Sequence, residues 1–347
     1  MGGDHAPEAE LDAVAELCHG PRVPIAITLV GDEAQLLSGL SRRKVVPTNN
    51  LVTVRHATQV VRMDESPAAA VRGKRDSSMR VCFELVRSGA ADAVVSAGNS
   101  GAMLACGLLL WKRLPGAMRP AIVATFPTVA HDVVLCDAGA NVDIQPAVLA
   151  QFGVLGSAFA QVTTGRARPR LGLLANGSEE GKGTELTRGA HALLSRMEAA
   201  GAPFSFAGYV EGRDLFTGQL DVVATDGFTG NVVLKTAEGA AAAVVAFLRQ
   251  AFRSSPRAMA GGFLARPSLR AFKQRIDYAE RGGAPLLGID GVALVCHGSS
   301  NGAALANAVR SAERYLRHGL TARVREALAH AQVDGLAAEP AAEKGSA

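Results

Sequence analysis

Cysteine is scarce in this chain and scattered. The 347 residues hold five, Cys18, Cys82, Cys106, Cys136 and Cys296, with no Cys-x-x-Cys pair and no histidine at zinc-ligand spacing. That pattern excludes a zinc ribbon and a disulfide scaffold, and reads as buried thiols in a reducing compartment. Aromatics are rare too: one tryptophan and three tyrosines are too few for an aromatic-lined recognition module. An excess of one charge is also missing. Thirty-six Lys and Arg face 32 Asp and Glu, and a net +4 gives no argument for a nucleic-acid partner. Any basic surface must be local. The N-terminus, MGGDHAPEAE, has neither the basic region nor the apolar run of a signal peptide. The longest strongly apolar stretch, residues 240–248, is about half of the ~20 residues that a membrane-spanning helix needs. The chain therefore reads as soluble and cytoplasmic, touching a membrane only from outside.

Glycine, by contrast, is plentiful at 38 residues, within a composition that is 48% hydrophobic and 20% charged. This is a folded chain, large enough for one big α/β unit or two lobes. One pattern recurs: a short β-branched strand, a Gly/Ser/Asn turn, then a helix. Residues 93–95 lead into SAGNSG and a helix over 102–111, and 133–136 into DAGANVD and a helix around 146–160. Residues 171–174 lead into NGSEEGKG and a helix over 185–199, and 222–224 into DGFTGN and a long Ala-rich helix over about 232–252. Residues 292–295 lead into CHGSSNG and a final helix over about 303–317. Such alternation predicts an α/β fold with a mainly parallel sheet covered on both faces. Ligands in such folds bind at the carboxyl ends of the strands, where these turns lie. Residues 163–169 read as a connector, residues 1–330 as a single α/β unit, and 331–347 as a flexible tail.

Three of the turns, SAGNSG, DGFTGN and HGSSNG, put free backbone N–H groups at a helix start, a geometry that suits phosphate. Each one alone is equally well an ordinary turn. Lys182 in GSEEGKG does not form a Walker A loop, because three residues, not four, separate Gly177 from Gly181, and Gly183 follows the lysine. It reads either as a solvated loop lysine or as a cation for phosphate or a developing oxyanion. The run Gly298-Ser299-Ser300-Asn301-Gly302 matches a nucleophile elbow in the right strand-to-helix place. A serine hydrolase then needs an acid and a histidine downstream. Only His318 and His330 follow, both in or near helix-forming sequence, so that reading fails on order and length. No Rossmann fingerprint is present, and His5, His131 and His297 make no metal motif. Asp4 and His5 read as a site pair or as a capped turn. Asp137, Asn141 and Asp143 read as ligand-binding groups or as a helix cap and its neighbours.

Segment 249–281 stands apart. It carries Arg249, Arg253, Arg257, Arg266, Arg270, Lys273, Arg275 and Arg281 against Asp277 and Glu280, interleaved with Phe263, Leu264, Leu269, Phe272 and Ile276. It reads as a solvated helical hairpin with a buried stripe, or as a basic amphipathic surface for anionic lipid or an acidic protein.

As an ordered set, MGGDHAPE, SAGNSGAMLACG, RPAIVATFPT, DAGANVD, LGLLANGSEEGKGTELT, FAGYVEGRDLFTGQLDVVATDGFTGNVVLKTAEG and GGAPLLGIDGVALVCHGSSN resemble the bacterial phosphate acyltransferases of phospholipid synthesis, from Met1 to about residue 317. The resemblance implies transfer of a fatty acyl group from acyl carrier protein to inorganic phosphate. The acyl phosphate formed would feed a membrane glycerol 3-phosphate acyltransferase. It further implies a three-layer α/β/α fold similar to phosphotransacetylases and isocitrate-type dehydrogenases, a homodimer, and no cofactor or metal. The family's catalytic lysine and asparagine fall on Lys182 and Asn231. Gly98, Asn99, Ser100, Gly230, His297, Gly298, Ser299, Ser300 and Asn301 fall on its phosphate and substrate loops. The segment 249–281 falls on the family's helical excursion at the dimer interface. That places Phe263, Leu264, Arg266, Arg270, Phe272, Lys273 and Arg275 at the contact with carrier protein or an anionic membrane surface. In the family a strand ending in Asp-Ala comes directly before MGGDHAP. Its absence here is expected to expose sheet backbone and apolar surface. A phosphotransacetylase using coenzyme A and a non-catalytic membrane scaffold are the rival readings.

Overall fold

The computed structural model describes residues 1–20, 25–48, 51–179, 181–276 and 282–333, with backbone only for 273–276 and 332–333. The chain begins with α1 (Glu8–His19), β1 (Ile27–Gly31), α2 (Glu33–Arg42) and β2 (Val52–His56), and the two strands pair in parallel. Then come α3 (Pro67–Gly73), α4 (Ser78–Arg87), β3 (Ala93–Ser96) and α5 (Ser100–Cys106), the last running into a π-helical turn, Gly107–Trp111. A hairpin of β4 (Ala121–Pro127) and β5 (Asp132–Cys136) leads into α6 (Pro146–Thr164). The next elements are β6 (Arg170–Leu174), α7 (Glu185–Ala199), β7 (Ser205–Val210), β8 (Val222–Ala224) and α8 (Gly227–Phe252). Two short helices, α9 (Pro256–Leu264) and α10 (Arg266–Ile276), precede β9 (Ala284–Leu287), β10 (Val292–Val295), α11 (Gly302–Arg317) and α12 (Leu320–Val333).

The main sheet has eight strands in the order β3-β10-β9-β4-β5-β8-β6-β7. It is parallel in both wings, β3/β10 on one side and β5/β8/β6/β7 on the other. The three pairings between the wings, β10/β9, β9/β4 and β4/β5, are antiparallel. The two wings therefore point their strands in opposite directions, and the loops that leave their carboxyl ends converge where the direction reverses. A mainly parallel sheet was expected. The antiparallel centre was not, because alternation of apolar residues carries no sign of strand direction.

Side-chain alternation shows why the sheet is covered twice. On one face Val134 and Cys136 of β5, Val222 and Ala224 of β8, and Val292 and Leu294 of β10 pack into the largest core with α6, α7, α11 and α12. On the other face Val133 and Leu135 of β5 and Val223 of β8 pack against Leu234 of α8, while Val94 of β3 and Ala293 of β10 pack with α4, α5 and Trp111. Helix α6 lies so deep that every residue from Val148 to Ala160 is buried. The observed strands and helices match the five units read from the sequence to within a few residues. The helix over 303–317 is not the last one, however, since α12 follows and packs on α6. The apolar run at 240–248 is part of something longer. Helix α8 has 26 residues and contains an 18-residue stretch of mean hydropathy 1.4, long and apolar enough by those measures to cross a membrane, and almost none of that stretch is buried. Among the described residues the other such helix is α6, which is mostly buried in the core.

Candidate active site

Two adjacent loops from the first wing form one side of the site. After β3, Asn99 caps α5 by accepting from the Ala102 N–H at 2.9 Å, and its amide donates to the carbonyls of Met63 (3.2 Å) and Arg62 (3.3 Å). Asn99 is buried and ties the 62–65 strap to the strand end, so its own side chain is spent on structure. After β10, Asn301 caps α11 by accepting from the Ala304 N–H at 2.9 Å. The Ser299 N–H donates to His297 Nδ1 at 3.2 Å, and the Ser299 hydroxyl lies 2.7 Å from the same nitrogen. With Nδ1 accepting a backbone N–H, the neutral imidazole carries its proton on Nε2. The N-terminal GGD segment is wedged between these loops. The Asp4 N–H donates to Gly298 O at 2.8 Å, and the Asp4 carboxylate lies close over Gly298.

The opposite side comes from the second wing, and Asp137 organises it. Its buried carboxylate accepts from the N–H groups of Ile122 (3.0 Å), Gly139 (3.2 Å), Ala140 (3.1 Å) and Asn141 (2.7 Å) and from the Asn141 amide (2.9 Å). Burial pushes this carboxyl above its ordinary value while the Asn141 and backbone donors pull it down. A ring made only of donors suits the ionised form. Asp137 and Asn141 thus anchor their own loop, and neither is the helix cap that the sequence offered as one reading, since the N-cap of α6 is Gln145.

The neighbouring DGFTGN turn docks on that loop. Asp226 caps α8 by accepting from the Thr229 N–H at 2.9 Å. A Cβ on Gly230 would fall 1.9 Å from Asp137 O, and one on Gly227 would fall 2.5 Å from Asn141 O, so only glycine lets the first turn of α8 lie this close. Gly139, at φ +143°, in turn brings its backbone against the Asn231 side chain, which a Cβ there would meet at 3.5 Å. The two glycines of GFTGN serve to place Asn231.

Between the two sides lies a cavity of about 840 Å³. Its polar end collects Asp4, Gly98, Ser100, Gly139, Asn231 and the run His297–Ser300, from loops of both wings and the N-terminus. Of the residues expected at the site, Gly98, Ser100, Asn231, His297, Gly298, Ser299 and Ser300 line it. Asn99, Gly230 and Asn301 stand behind it as supports. Asp4 lines it and His5 does not. Gly139 and one face of α8, which also line it, were missed in the sequence, although small apolar residues at helical spacing along α8 carry the signal.

Lys182 does not line the cavity. It sits on the loop after β6, exposed, with its stem packed against Gly177, where a Cβ would lie 2.9 Å from Lys182 Cγ. The loop is tied at its far end, where the Gly183 N–H donates to Asn176 Oδ1 at 2.9 Å and Arg188 donates to Gly183 O at 2.7 Å. Its neighbour Glu180 lies outside the described residues. β6 is the parallel neighbour of β8, so the Lys182 loop leaves the sheet beside the turn that holds Asn231.

Cys296 also touches the cavity, but burial pushes its thiol up to about 12. A thiol held that far above neutral pH is no nucleophile.

In the basic segment, α9 and α10 are helical and exposed. Phe263 and Leu264 are 67% and 80% exposed, and the Arg266 guanidinium lies 5.4 Å from the Phe263 ring centroid. Arg270 and Phe272 are exposed as well. The side chains of Lys273, Arg275 and Ile276, and residues 277–281 with Asp277, Glu280 and Arg281, lie outside the described residues, as does the tail from 334.

Comparison with known proteins agrees with this architecture. A phosphotransacetylase from Staphylococcus aureus is similar with a TM-score of 0.56 at 15% identity, covering 89% of this chain and 91% of that one. A branched-chain phosphotransacylase from Enterococcus faecalis reaches 0.57 at 13% identity, covering 91% and 97%. At such identities the likeness concerns the fold. In sequence, the chain is 47% identical over 328 residues to a phosphate acyltransferase of Syntrophotalea carbinolica, 94% of this chain and 91% of the relative. It is 49% identical over 335 residues to a phosphate acyltransferase of Myxococcus xanthus, 95% and 92% of the two chains. The family model described as "Fatty acid synthesis protein" matches residues 1–323. The chain belongs to this family, with the phosphate acyltransferases, and is an acyltransferase enzyme.

Proposed function

We propose that this enzyme transfers a fatty acyl group from the thioester of acyl carrier protein to inorganic phosphate, giving an acyl phosphate and the free carrier thiol. The observation that carries the reading is the polar end of the cavity. There Asn231 and His297 bring side-chain donors to one space beside the first turns of α8 and α11. A phosphate oxygen attacks the thioester carbonyl carbon, a tetrahedral oxyanion forms, and the carbon–sulfur bond breaks as the electron pair leaves on sulfur. Catalysis of that sequence needs a held dianion and donors aimed at the oxyanion, and no covalent enzyme nucleophile. Gly98, Ser100, Gly298, Ser299 and Ser300 surround the phosphate, while Asn231 and the His297 Nε2–H face the developing charge. Lys182 supplies the cation. Among the described residues its ammonium has no ion-pair partner, so it is free to swing from the neighbouring loop over bound phosphate.

The exposed basic and apolar face of α9 and α10 supports a protein donor and a lipid surface. Arg266 and Arg270 offer cations to an acidic carrier, and Phe263, Leu264 and Phe272 offer apolar tips to an anionic bilayer. We place the enzyme in the cytoplasm, peripherally on the membrane. A homodimer would cover part of α8, and a membrane glycerol 3-phosphate acyltransferase would take the product. The second reading, coenzyme A as acyl carrier, is favoured by the phosphotransacetylase fold of the structural neighbours.

The test is acyl-phosphate formation from a long-chain acyl carrier protein and phosphate, with acyl-CoA in parallel. Turnover with the carrier protein, at a kcat/KM well above that for acyl-CoA, is the expected result. Turnover with acyl-CoA alone would move the enzyme to the second reading.

A further inference from the structure

The polar end of the cavity holds one group that the proposed reaction leaves without a task, the carboxylate of Asp4. The space is otherwise lined by groups able to donate: the hydroxyls of Ser100, Ser299 and Ser300, the Asn231 amide and the His297 Nε2–H. Such a lining suits an anion, and a bare carboxylate beside a bound anion repels it. We propose that Asp4 accepts a hydrogen bond from the proton that phosphate carries, so that the site selects a protonated tetrahedral oxyanion and rejects sulfate. The proposal rests on the acyl-transfer reading above and deepens it by naming the residue that sets its anion specificity.

Three observations carry it. The first is placement. The Asp4 N–H donates to Gly298 O at 2.8 Å, which pins the turn before α1 to the loop after β10. Gly3 lets the segment pass this close, since a Cβ there would meet Ala97 Cβ at 3.2 Å and Gly298 O at 3.3 Å. The carboxylate is thereby laid over Gly298, with its two oxygens 3.3 and 3.4 Å from where a Cβ on that glycine would stand. The second is that other carboxylates near the cavity are committed and this one is not. Asp137 holds its ring of donors, Asp226 caps α8, Glu238 pairs with Lys235 at 2.9 Å and Glu65 with Lys74 at 2.5 Å. Among the described residues nothing donates to the Asp4 carboxylate, and it lines the cavity. The third is chemistry. Phosphate and sulfate are alike in size and shape, and above neutral pH both are dianions, but only phosphate keeps a proton. A carboxylate accepts that proton in a charge-assisted hydrogen bond. Opposite sulfate, which has no proton to give, two acceptors of like charge face each other. A site built to bond a substrate hydroxyl rejects an analogue lacking it far more sharply than shape does, because a polar group is left unpaired.

The experiment sets phosphate and arsenate, which carry a proton, against sulfate and fluorophosphate, tetrahedral dianions that carry none. The KM for phosphate and the inhibition constants of the other three are measured slightly above neutral pH, on whichever acyl carrier supports turnover, in the unmodified enzyme and in Asp4→Asn. Asp4 is exposed and its side chain makes no bond within the fold, so the amide replaces it without disturbing the core. The unmodified enzyme is expected to hold phosphate and arsenate at least 100-fold more tightly than sulfate and fluorophosphate. An amide both accepts and donates, so Asp4→Asn is expected to shrink that ratio at least tenfold. Loss of the charge alone raises the affinity of every anion together, and the ratio is therefore the readout. Sulfate held as tightly as phosphate by the unmodified enzyme would overturn the proposal without any variant. A ratio unchanged in Asp4→Asn, whatever the fall in turnover, would reduce Asp4 to a structural part and overturn it too. Phosphate affinity lost to a chelator and restored by magnesium would assign the carboxylate to a bridging cation, again overturning the proposal. If no acyl donor gave turnover, the catalytic reading would fall, and calorimetry with the same four anions would judge Asp4 separately. The same ratios would sustain the proposal, and equal binding, or none, would sink it.

Discussion

Asn231 is set by its neighbours rather than by its own bonds. Its side chain stays exposed, while Gly230 on one side and Gly139 across from it fix its backbone. A residue so held can lose its amide without loosening the fold. Asn231→Ala is expected to lower kcat by 10²- to 10³-fold, as for one oxyanion donor removed, with a melting temperature close to that of the parent. Lys182→Ala should lose as much and, unlike Asn231→Ala, should raise the KM for phosphate; steady-state kinetics at varied phosphate checks both. The Ser299–His297 contact invites a different thought, a serine nucleophile with its base. The backbone N–H on Nδ1 argues that this contact fixes a tautomer instead. Mixing enzyme with acyl carrier in the absence of phosphate should therefore release no burst of free thiol, whereas a burst of one thiol per enzyme would reveal an acyl-serine.

At the scale of elements, the site depends on how closely α8 lies on the 137–141 loop. Gly230→Ala puts a methyl group 1.9 Å from a carbonyl oxygen that cannot retreat, because Asp137 is held by its ring of donors. The first turn of α8 has to lift. The expected outcome is a loss of at least 100-fold in turnover with a lowered melting temperature, read by kinetics and thermal unfolding together. These elements also show what the sequence could and could not disclose. Each strand–turn–helix unit was legible because β-branched residues, a Gly/Asn turn and a capping side chain fall in order, as in β8, Asp226 and α8. The β4–β5 hairpin was not legible, since the residues between its strands, Thr-Val-Ala-His, carry none of the usual hairpin turn chemistry. The apolar run of α8 was read as only 240–248 because Lys235 and Glu238 interrupt it in sequence, although in space they neutralise each other. The loops of the site were legible, and their convergence was not, because it follows from the reversal of strand direction at the centre of the sheet.

For the whole molecule, charge is placed by region. At the amino end of β8, away from the cavity, Asp221 is buried with His131 Nε2 at 2.7 Å, Arg170 Nε at 3.3 Å, Arg166 at 3.4 Å and the Arg170 N–H at 2.8 Å. Burial alone would push its carboxyl up, but the Arg170 hydrogen bonds and the two guanidinium charges outweigh it and hold the carboxyl below its ordinary value. Stability from this group is present above the carboxylate's unfolded value and is lost as pH falls through the lower folded one. Asp221→Asn should cost about 2 kcal/mol at pH 7, less than for a fully buried pair because both arginines are partly exposed, and should flatten the loss of stability in acid. Urea unfolding at pH 7 and at about pH 2.5, below the unfolded carboxylate value, checks this. On the exposed helices the cations belong to the proposed docking surface. Replacing Arg266 and Arg270 by Glu is expected to raise the KM for acyl carrier protein at least tenfold and leave kcat nearly unchanged, an effect that added salt should shrink.

The pairing of β3 with β10 joins Ala93 to Val292 across about 200 residues of chain. During synthesis at roughly 5–20 residues per second, β3 leaves the ribosome some 10–40 s before the strand it needs. Over that interval the nascent chain carries an open strand edge and an unfinished catalytic floor. The growing polypeptide thus lacks one side of its site, and it presents an unpaired strand edge until β10 appears.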